Sequence, residues 1–554
     1  LMNDYKQEPG QKRKLIKKGK GNKPIYKNTL KETNPKGLNN DYCKFIRLGQ
    51  NFVENTQEGI LAYICGNTFL DTPLFRGMRY ELLRKFDDIY IINLHGSTKR
   101  HETTETGERD ECIFNIQVGV SINIFIKHQN SHEGELARVH YKDLYGTRRE
   151  KLEYLATHQL GDIDFEELTL LPPMYTFRKR DSKLKERYNE GFNVKDLMRD
   201  GVKQGFKTGI DKLIIHYTKE AVEKFCRDIK TKDFKETAQD CNIPNTRELQ
   251  SKYEALQERI EVSHYNVEGN VTEITYRPFD NRWTVYGEVT MDRHRAEIKK
   301  NIFGKQNVVL GLGKMGSTIG DKEWTLAYIM TKPTDINLIP RGGVYLFPLY
   351  IYNEAGERMY VNFSTDIIHN IEEKTGLHLQ QTEELERKEG EFLPLDLLDY
   401  IYAVLHSRLY RQTYHECLQD DFPTIPYPTS ADYFFQMAVL GSLIRKAHLL
   451  EGITPDDNMA TYRIPGNNIV TKRKFEETDD GIGRVWINDI QYFDEVPTVA
   501  WEMIVAGYQP MDRWLKDRTD KQLTNVEIIH YRKMAVALLQ QEEAMSEIDD
   551  IIHL

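Results

Sequence analysis

Residues 306–321 read QNVVLGLGKMGSTIGD, and they place Gly311, Gly313 and Gly316 in a G-x-G-x-x-G pattern after a β-branched run. Asp335 follows about twenty positions beyond the last glycine, the spacing of a dinucleotide-binding fingerprint. That chemistry needs a helix to open at the glycines, because the free N–H groups of its first turn hold the pyrophosphate. Here Ser317-Thr318-Ile319-Gly320-Asp321 follows instead, and Trp324, Leu326, Tyr328 and Met330 then alternate at period two. The alternation predicts a strand. The stretch therefore reads as a glycine hairpin with Lys314 at its tip, and a nucleotide-cofactor enzyme using Gly311–Gly316 is an unlikely alternative.

A second stretch, ITYRPFDNRWTVYG (274–287), interleaves Arg277 and Arg282 with Tyr276, Phe279, Trp283 and Tyr286. Guanidinium forks grip phosphates or base edges, and aromatic rings stack on bases. The same residues would also build a strand–turn–strand core, with Pro278 and Asp280 in the turn and the arginines in ion pairs. Arg293, His294, Arg295, Lys299 and Lys300 lie just downstream and shift the reading toward an anionic partner. Other catalytic signatures are missing: there is no H-E-x-x-H, no G-x-S-x-G and no G-x-x-x-x-G-K-[ST]. The six cysteines form no C-x-x-C pair, and no pair among the 16 histidines has metal spacing beside a carboxylate. No metal is expected, and a reducing cytoplasm suits free thiols.

The elements that must position these residues follow from patterning. The 554 residues, 39 % hydrophobic and 29 % charged, fit roughly three or four globular domains. No run of eighteen apolar residues suggests a membrane span. The net charge of −9 hides a basic flank at 1–40, where QKRKLIKKGKGNK is a solvated tail or a backbone-contacting arm. Residues 41–135 alternate in α/β fashion. DYCKFIRLGQNFV lays Tyr42, Phe45, Ile46, Leu48 and Phe52 along an apolar helical face; GILAYICG (59–66) is a buried strand. Asp71, Thr72 and Pro73 open a helix with Leu74, Met78, Leu82 and Phe86 on one side, and DIYIINL (88–94) is the next strand. CIFNIQVGVSINIFIK (112–127) reads as a strand pair bent at Gly119, forming a hairpin edge. Residues 136–265 read as a helical connector, 266–352 are β-rich, two long amphipathic helices span Pro394 to Leu450, and a last helix covers 526–548.

GILAYICGNTFLDTPLFRGMRYELLRKFDDIYIINLHG with IFNIQVGVSINIFIK resembles the C-terminal half of the catalytic domain in gamma-type adenine-N6 DNA methyltransferases. YRPFDNRWTVY, YLFPLYIY, DYIYAVLHSRLYRQTYHECLQDDFPTIPYP and VAGYQPMDRWLKDR resemble the region after it in Type ISP (single-polypeptide, Type I-like) restriction–modification enzymes. The resemblance implies an α/β fold, the C-terminal half of a doubly wound methyltransferase sheet. An α+β target-recognition region (266–430) and a helical C-terminal region (431–554) would follow. The family's Asn-Pro-Pro-Tyr loop and its S-adenosylmethionine loop are absent; the only Asn-Pro is Asn34-Pro35, followed by Lys-Gly. With the Leu-Met opening, this implies a chain that starts after the catalytic loop and is inactive alone.

The implied function is sequence-specific recognition of double-stranded DNA within an adenine-specific methyltransferase of a restriction–modification system. S-adenosyl-L-methionine would be held mainly by an upstream catalytic portion or a separate catalytic subunit. A target adenine must leave the stack to react, and an aromatic face holds it. The resemblance puts Phe114 in that role. Arg277, Arg282, Trp283, Arg293, Arg295 and Lys314 are the expected DNA contacts, and a stand-alone DNA-binding specificity subunit is the alternative.

Overall fold

A computed structural model describes residues 2–11, 15–18, 24–30, 35–98, 102–104, 107–129, 134–314, 322–380 and 386–554. The chain divides into two compact units, Leu1–Arg187 and Tyr188–Gly316 with Glu323–Leu554. Among the described residues no helix is long and apolar enough to cross a membrane, and no group of three His, Cys, Asp or Glu could hold a metal ion.

In the first unit the basic flank contributes a short hairpin of β1 (Leu15–Lys18) and β2 (Pro24–Tyr26). Helix α1 (Asp41–Glu54) starts at Asn40, whose side chain accepts the Tyr42 N–H. Strand β3 (Gly59–Gly66), helix α2 (Arg76–Lys85), β4 (Asp88–Asn93), β5 (Val120–Lys127), β6 (Arg138–Asp143), α3 (Arg148–Thr157) and β7 (Glu166–Glu167) follow. The strands form one sheet in the order β3-β5-β4-β6-β7. β4 and β6 are parallel, and β5 is antiparallel to both β3 and β4, so β3, β4 and β6 share one direction.

Several expectations need correction. GILAYICG (59–66) is not a buried strand: β3 stands at the edge of the sheet, with Ile60 and Ile64 exposed, because among the described residues it pairs with β5 alone. The strand pair bent at Gly119 is a single strand, β5, and it lies inside the sheet rather than at a hairpin edge. One face carries Val120, Ile122, Ile124 and Ile126, and the other carries Ser121, Asn123 and Phe125, all three buried. Gly119 allows the entry, since a Cβ there would sit 2.6 Å from Asn67 Nδ2. The apolar stripe of α1 is split: Ile46 is buried with Cys43 and Val53, whereas Tyr42, Phe45, Leu48 and Phe52 are exposed, Phe52 by 66 %. Strand β6 lies within the stretch that reads as a helical connector.

The second unit holds a four-stranded sheet in the order Ala327–Met330, Val309–Gly313, Val344–Pro348, Lys203–Gln204. Beside it stands the hairpin Val271–Arg277/Asp280–Val285. Helices Lys219–Thr231, Phe234–Asp240 and Arg247–Ser263 pack together, and Val285 of the hairpin joins their apolar core. Helix Pro394–His406 is buried on all sides rather than amphipathic, and it lies against Ala431–Leu449. The last helix is Asn525–Ile551. At the crossing of the first two, a Cβ on Gly441 would lie 1.8 Å from the Asp399 carbonyl oxygen. The obstacle is backbone, which cannot rotate away. Gly441→Ala is therefore expected to destabilise this unit by about 2 kcal/mol, read from its urea midpoint.

Candidate nucleic-acid interface

Val309–Gly313 pairs antiparallel with Ala327–Met330, so a strand follows the glycines. Cβ atoms at Gly311 and Gly313 would meet Met330 Cε at 2.6 Å and Leu326 at 2.9 Å, so these glycines serve close packing within the sheet. Asp335, the would-be ribose ligand, is buried; it accepts Arg277 NH1 at 2.7 Å and caps the Asn337 N–H at 2.9 Å. Residues 315–321, including Gly316, lie outside the described residues. Lys314 is half-buried, with Nζ 3.9 Å from Asp421 and 5.8 Å from the Phe422 ring centre.

The two arginines of the YRPFDNR stretch come together, but inside the protein. Arg277 and Arg282 stack on Tyr276 at 3.9 Å and 4.0 Å, and they are only 6 % and 7 % exposed. Arg282 donates to Asp280 at 2.7 Å and to Asp517 at 3.2 Å. Asp280 also accepts from Arg518 at 3.2 Å. Burial alone would raise the Asp280 carboxyl, yet the Arg282 and Arg518 guanidiniums hold it well below the usual carboxylate range. At the tight connection Pro278-Phe279, Phe279 takes a left-handed φ of 59° and Arg277 is set opposite Asp280. Both guanidiniums are turned away from solvent, contrary to their expected role as DNA contacts; Arg282 bonds through Nε and NH2, whereas Arg277 bonds through NH1 and its buried Nε has no partner among the described residues. Sequence reading missed Tyr217, Trp514, Arg518 and Lys521, which complete the cluster. Arg518 stacks on Trp514 at 3.5 Å and lies 4.9 Å from the Tyr217 ring, and Arg282 lies 4.4 Å from the same ring.

The outward cations lie elsewhere on this unit. Arg293 and Lys207 exchange backbone hydrogen bonds at 3.0 Å, and both side chains are exposed. Arg295 has a left-handed φ of 61°, and its NH2 reaches Gln204 at 3.5 Å. A non-glycine residue held there is uncommon and points to a local demand. Trp283 is half-buried in the helical core, with Lys219 Nζ 5.9 Å from its ring centre.

In the first unit Phe114 is 44 % exposed, and Ile116 and Val118 stand out beside it. This apolar lip is clamped from behind. Lys151 is fully buried and donates to Asp110 at 2.8 Å, to the Leu94 carbonyl at 2.7 Å and to the Glu111 carbonyl at 2.7 Å. Helix α3 delivers that lysine through a capping box at Thr147 and Glu150. At the carboxyl ends of β3, β4 and β6 the polar side chains bond to one another. Asn67 donates to Asn93 at 3.0 Å, Asn93 to the Tyr141 hydroxyl at 2.9 Å, and His95 meets Asp143 at 2.5 Å. Among the described residues these side chains satisfy one another.

Several solved structures share this fold. The chain is similar to the ATP-dependent Type ISP restriction–modification enzyme LlaBIII bound to DNA, at 22 % identity and a TM-score of 0.65, covering 95 % of this chain and 34 % of that one. It is similar to DrdV in its DNA complex (18 %, TM-score 0.64, 93 % and 53 %). A nuclease-deletion mutant of the Type ISP enzyme LlaGI with a DNA substrate mimic also matches (18 %, TM-score 0.63, 93 % and 41 %). The chain thus spans about a third to a half of those chains' length. No curated protein matches its sequence. Residues 198–547, more than half of the chain, match the Type ISP C-terminal specificity domain, and the chain belongs to that family.

Proposed function

We propose that this chain recognises a specific duplex DNA sequence as part of an adenine-N6 methyltransferase in a restriction–modification enzyme. The observation that carries the reading is the specificity-domain match over 198–547; the similar structures, solved with DNA, support it. On this reading the exposed Arg293 and Lys207, with Arg295 and Lys314, hold phosphates, while Arg277 and Arg282 shape the surface from within. Phosphate contacts give affinity and register, and base edges give specificity. Phe114, with Ile116 and Val118, would pack against an extruded adenine.

The sheet of the first unit supports the methyltransferase context. Strand β3 is an edge, and its outward Ile60 (68 % exposed) and Ile64, with the stripe on α1, form an apolar surface around that edge. An unpaired apolar edge is a template for a further strand. The reading supplies it from an upstream catalytic portion or a catalytic subunit, which would also carry S-adenosylmethionine. That cofactor supplies the methyl group; the residues present here do not form its site, so no step is derived through it.

The test is duplex binding across a salt series. Affinity should fall steeply with salt, and Lys207→Ala with Arg293→Ala should reduce the log–log slope by about 0.9 for each phosphate that is no longer neutralised. Absence of duplex binding at 50 mM salt, roughly the lower end of the usual range, would remove the recognition reading. Combined with a catalytic portion, the chain should direct N6-methyladenine to one sequence; binding without methylation would remove the methyltransferase context alone.

A further inference from the structure

Three cations surround one ring, Tyr217: Arg282 Cζ at 4.4 Å, Arg518 Cζ at 4.9 Å and Lys521 Nζ at 3.5 Å from its centre. Two of them are neutralised. Arg282 is paired with Asp280 and Asp517, and Arg518 with Asp280 and with Glu527 at 2.9 Å. Lys521 forms no ion pair among the described residues. Its backbone is fixed, since its N–H donates to the Arg518 carbonyl and its carbonyl accepts the Val470 N–H, both at 3.0 Å. The ammonium is thus presented, half-buried, from a rigid support. Burial first, then the Arg282 and Arg518 guanidiniums, push the Lys521 amine down to about 8; Glu527 and Asp280 oppose them more weakly. Tyr217 and His216 also face it, the imidazole pKa lowered by burial, and Asp517 acts on the Tyr217 hydroxyl. A cation that its own surroundings disfavour gains more from an arriving anion than a solvated lysine does.

We propose that Lys521, on the platform of Tyr217, Arg282 and Arg518, is a contact for a backbone phosphodiester of duplex DNA. The proposal rests on the DNA-recognition reading and names a residue for it. An anion at this ammonium restores its proton, so between pH 7.5 and 9, a range set by the value of about 8, DNA binding takes up protons.

The experiment uses the full chain and a labelled duplex, with titration calorimetry in HEPES and in Tris. The wild type should bind about tenfold more weakly at pH 9 than at pH 7, with a buffer-dependent enthalpy that reports proton uptake. Lys521→Arg should keep the affinity and lose both the pH dependence and the uptake. Lys521→Met should lose about tenfold at pH 7, with a salt slope smaller by about 0.9. If Lys521→Met retains the wild-type slope and proton uptake, the proposal is wrong. If ATP or inorganic phosphate without DNA elicits the same proton uptake, the site takes free phosphate and the duplex assignment is overturned. A wild type that binds no duplex at low salt defeats the recognition reading itself, which the variant comparison keeps distinct.

Discussion

Replacing Lys151 by alanine is expected to lower the stability of the first unit by about 3–5 kcal/mol. Both Lys151 and its partner Asp110 are completely buried, and the three ammonium protons are spent on Asp110 and the carbonyls of Leu94 and Glu111. Removing the lysine leaves a buried carboxylate with only the Gly146 N–H at 2.8 Å, and it strips two carbonyls of their donor. Unpaired buried charge costs far more than the pair gains, because desolvation is no longer offset. The double change Lys151→Met with Asp110→Leu removes both charges and should restore most of the loss. Urea titrations followed by probes in each unit would check this, since a two-unit chain need not unfold in one step. Full stability in Lys151→Ala would refute the account. A pair this costly has a positional consequence: it fixes Glu111, three residues before Phe114, so the double variant should fold yet present the Phe114 lip less rigidly.

The second large effect is a loss of stability in acid that depends on His448. This ring is buried and neutral; it accepts the Tyr402 hydroxyl at Nδ1, its Nε2–H donates to Gln541 at 2.7 Å, and it stacks on Tyr328 with centroids 5.0 Å apart. Burial pushes it down to about 4 from an unfolded value of 6.5, against the smaller opposing effect of the Gln541 hydrogen bond. The unfolded chain therefore binds the proton first as pH falls, and the stability present above 6.5 is lost between about 6.5 and 4. With 1.36 kcal/mol for each pKa unit, the loss is about 3 kcal/mol. His448→Gln isolates it: the stability difference between wild type and variant should shrink by that amount from pH 7 to pH 4. Asp399, which burial raises, titrates in both proteins and cancels; His406, held low by burial and further by the His448 charge, does not, so the comparison is made in a His406→Gln background. A difference that stays constant with pH would show that His448 is not buried neutral.

The amino-acid sequence by itself determined what local rules reach. The period-two run after the glycines set a strand where a cofactor loop needs a helix, and Val309–Gly313 does pair with Ala327–Met330. The apolar runs at 59–66 and 88–94 are strands, and the motifs near the C-terminus pointed to the family. Partner choice was beyond local rules. Arg277 finds Asp335 58 positions away and Arg282 finds Asp517 235 positions away, so guanidiniums that looked free for phosphate are spent internally. The same holds for Lys151, one of many lysines in sequence, which only packing makes a buried clamp.

Periodicity put Ile46 on one face of α1 with Tyr42, Phe45, Leu48 and Phe52, but the folded chain buries Ile46 with Cys43 and Val53 and leaves the other four exposed. Order within the sheet, with β5 between β3 and β4, was likewise set by tertiary structure, since the pattern of a strand does not say which strands it pairs with. Side-chain type and spacing encode local conformation and surface pattern. Which charges meet, and which apolar faces remain open, depends on interactions between residues far apart in sequence, and these exist only once the chain has folded.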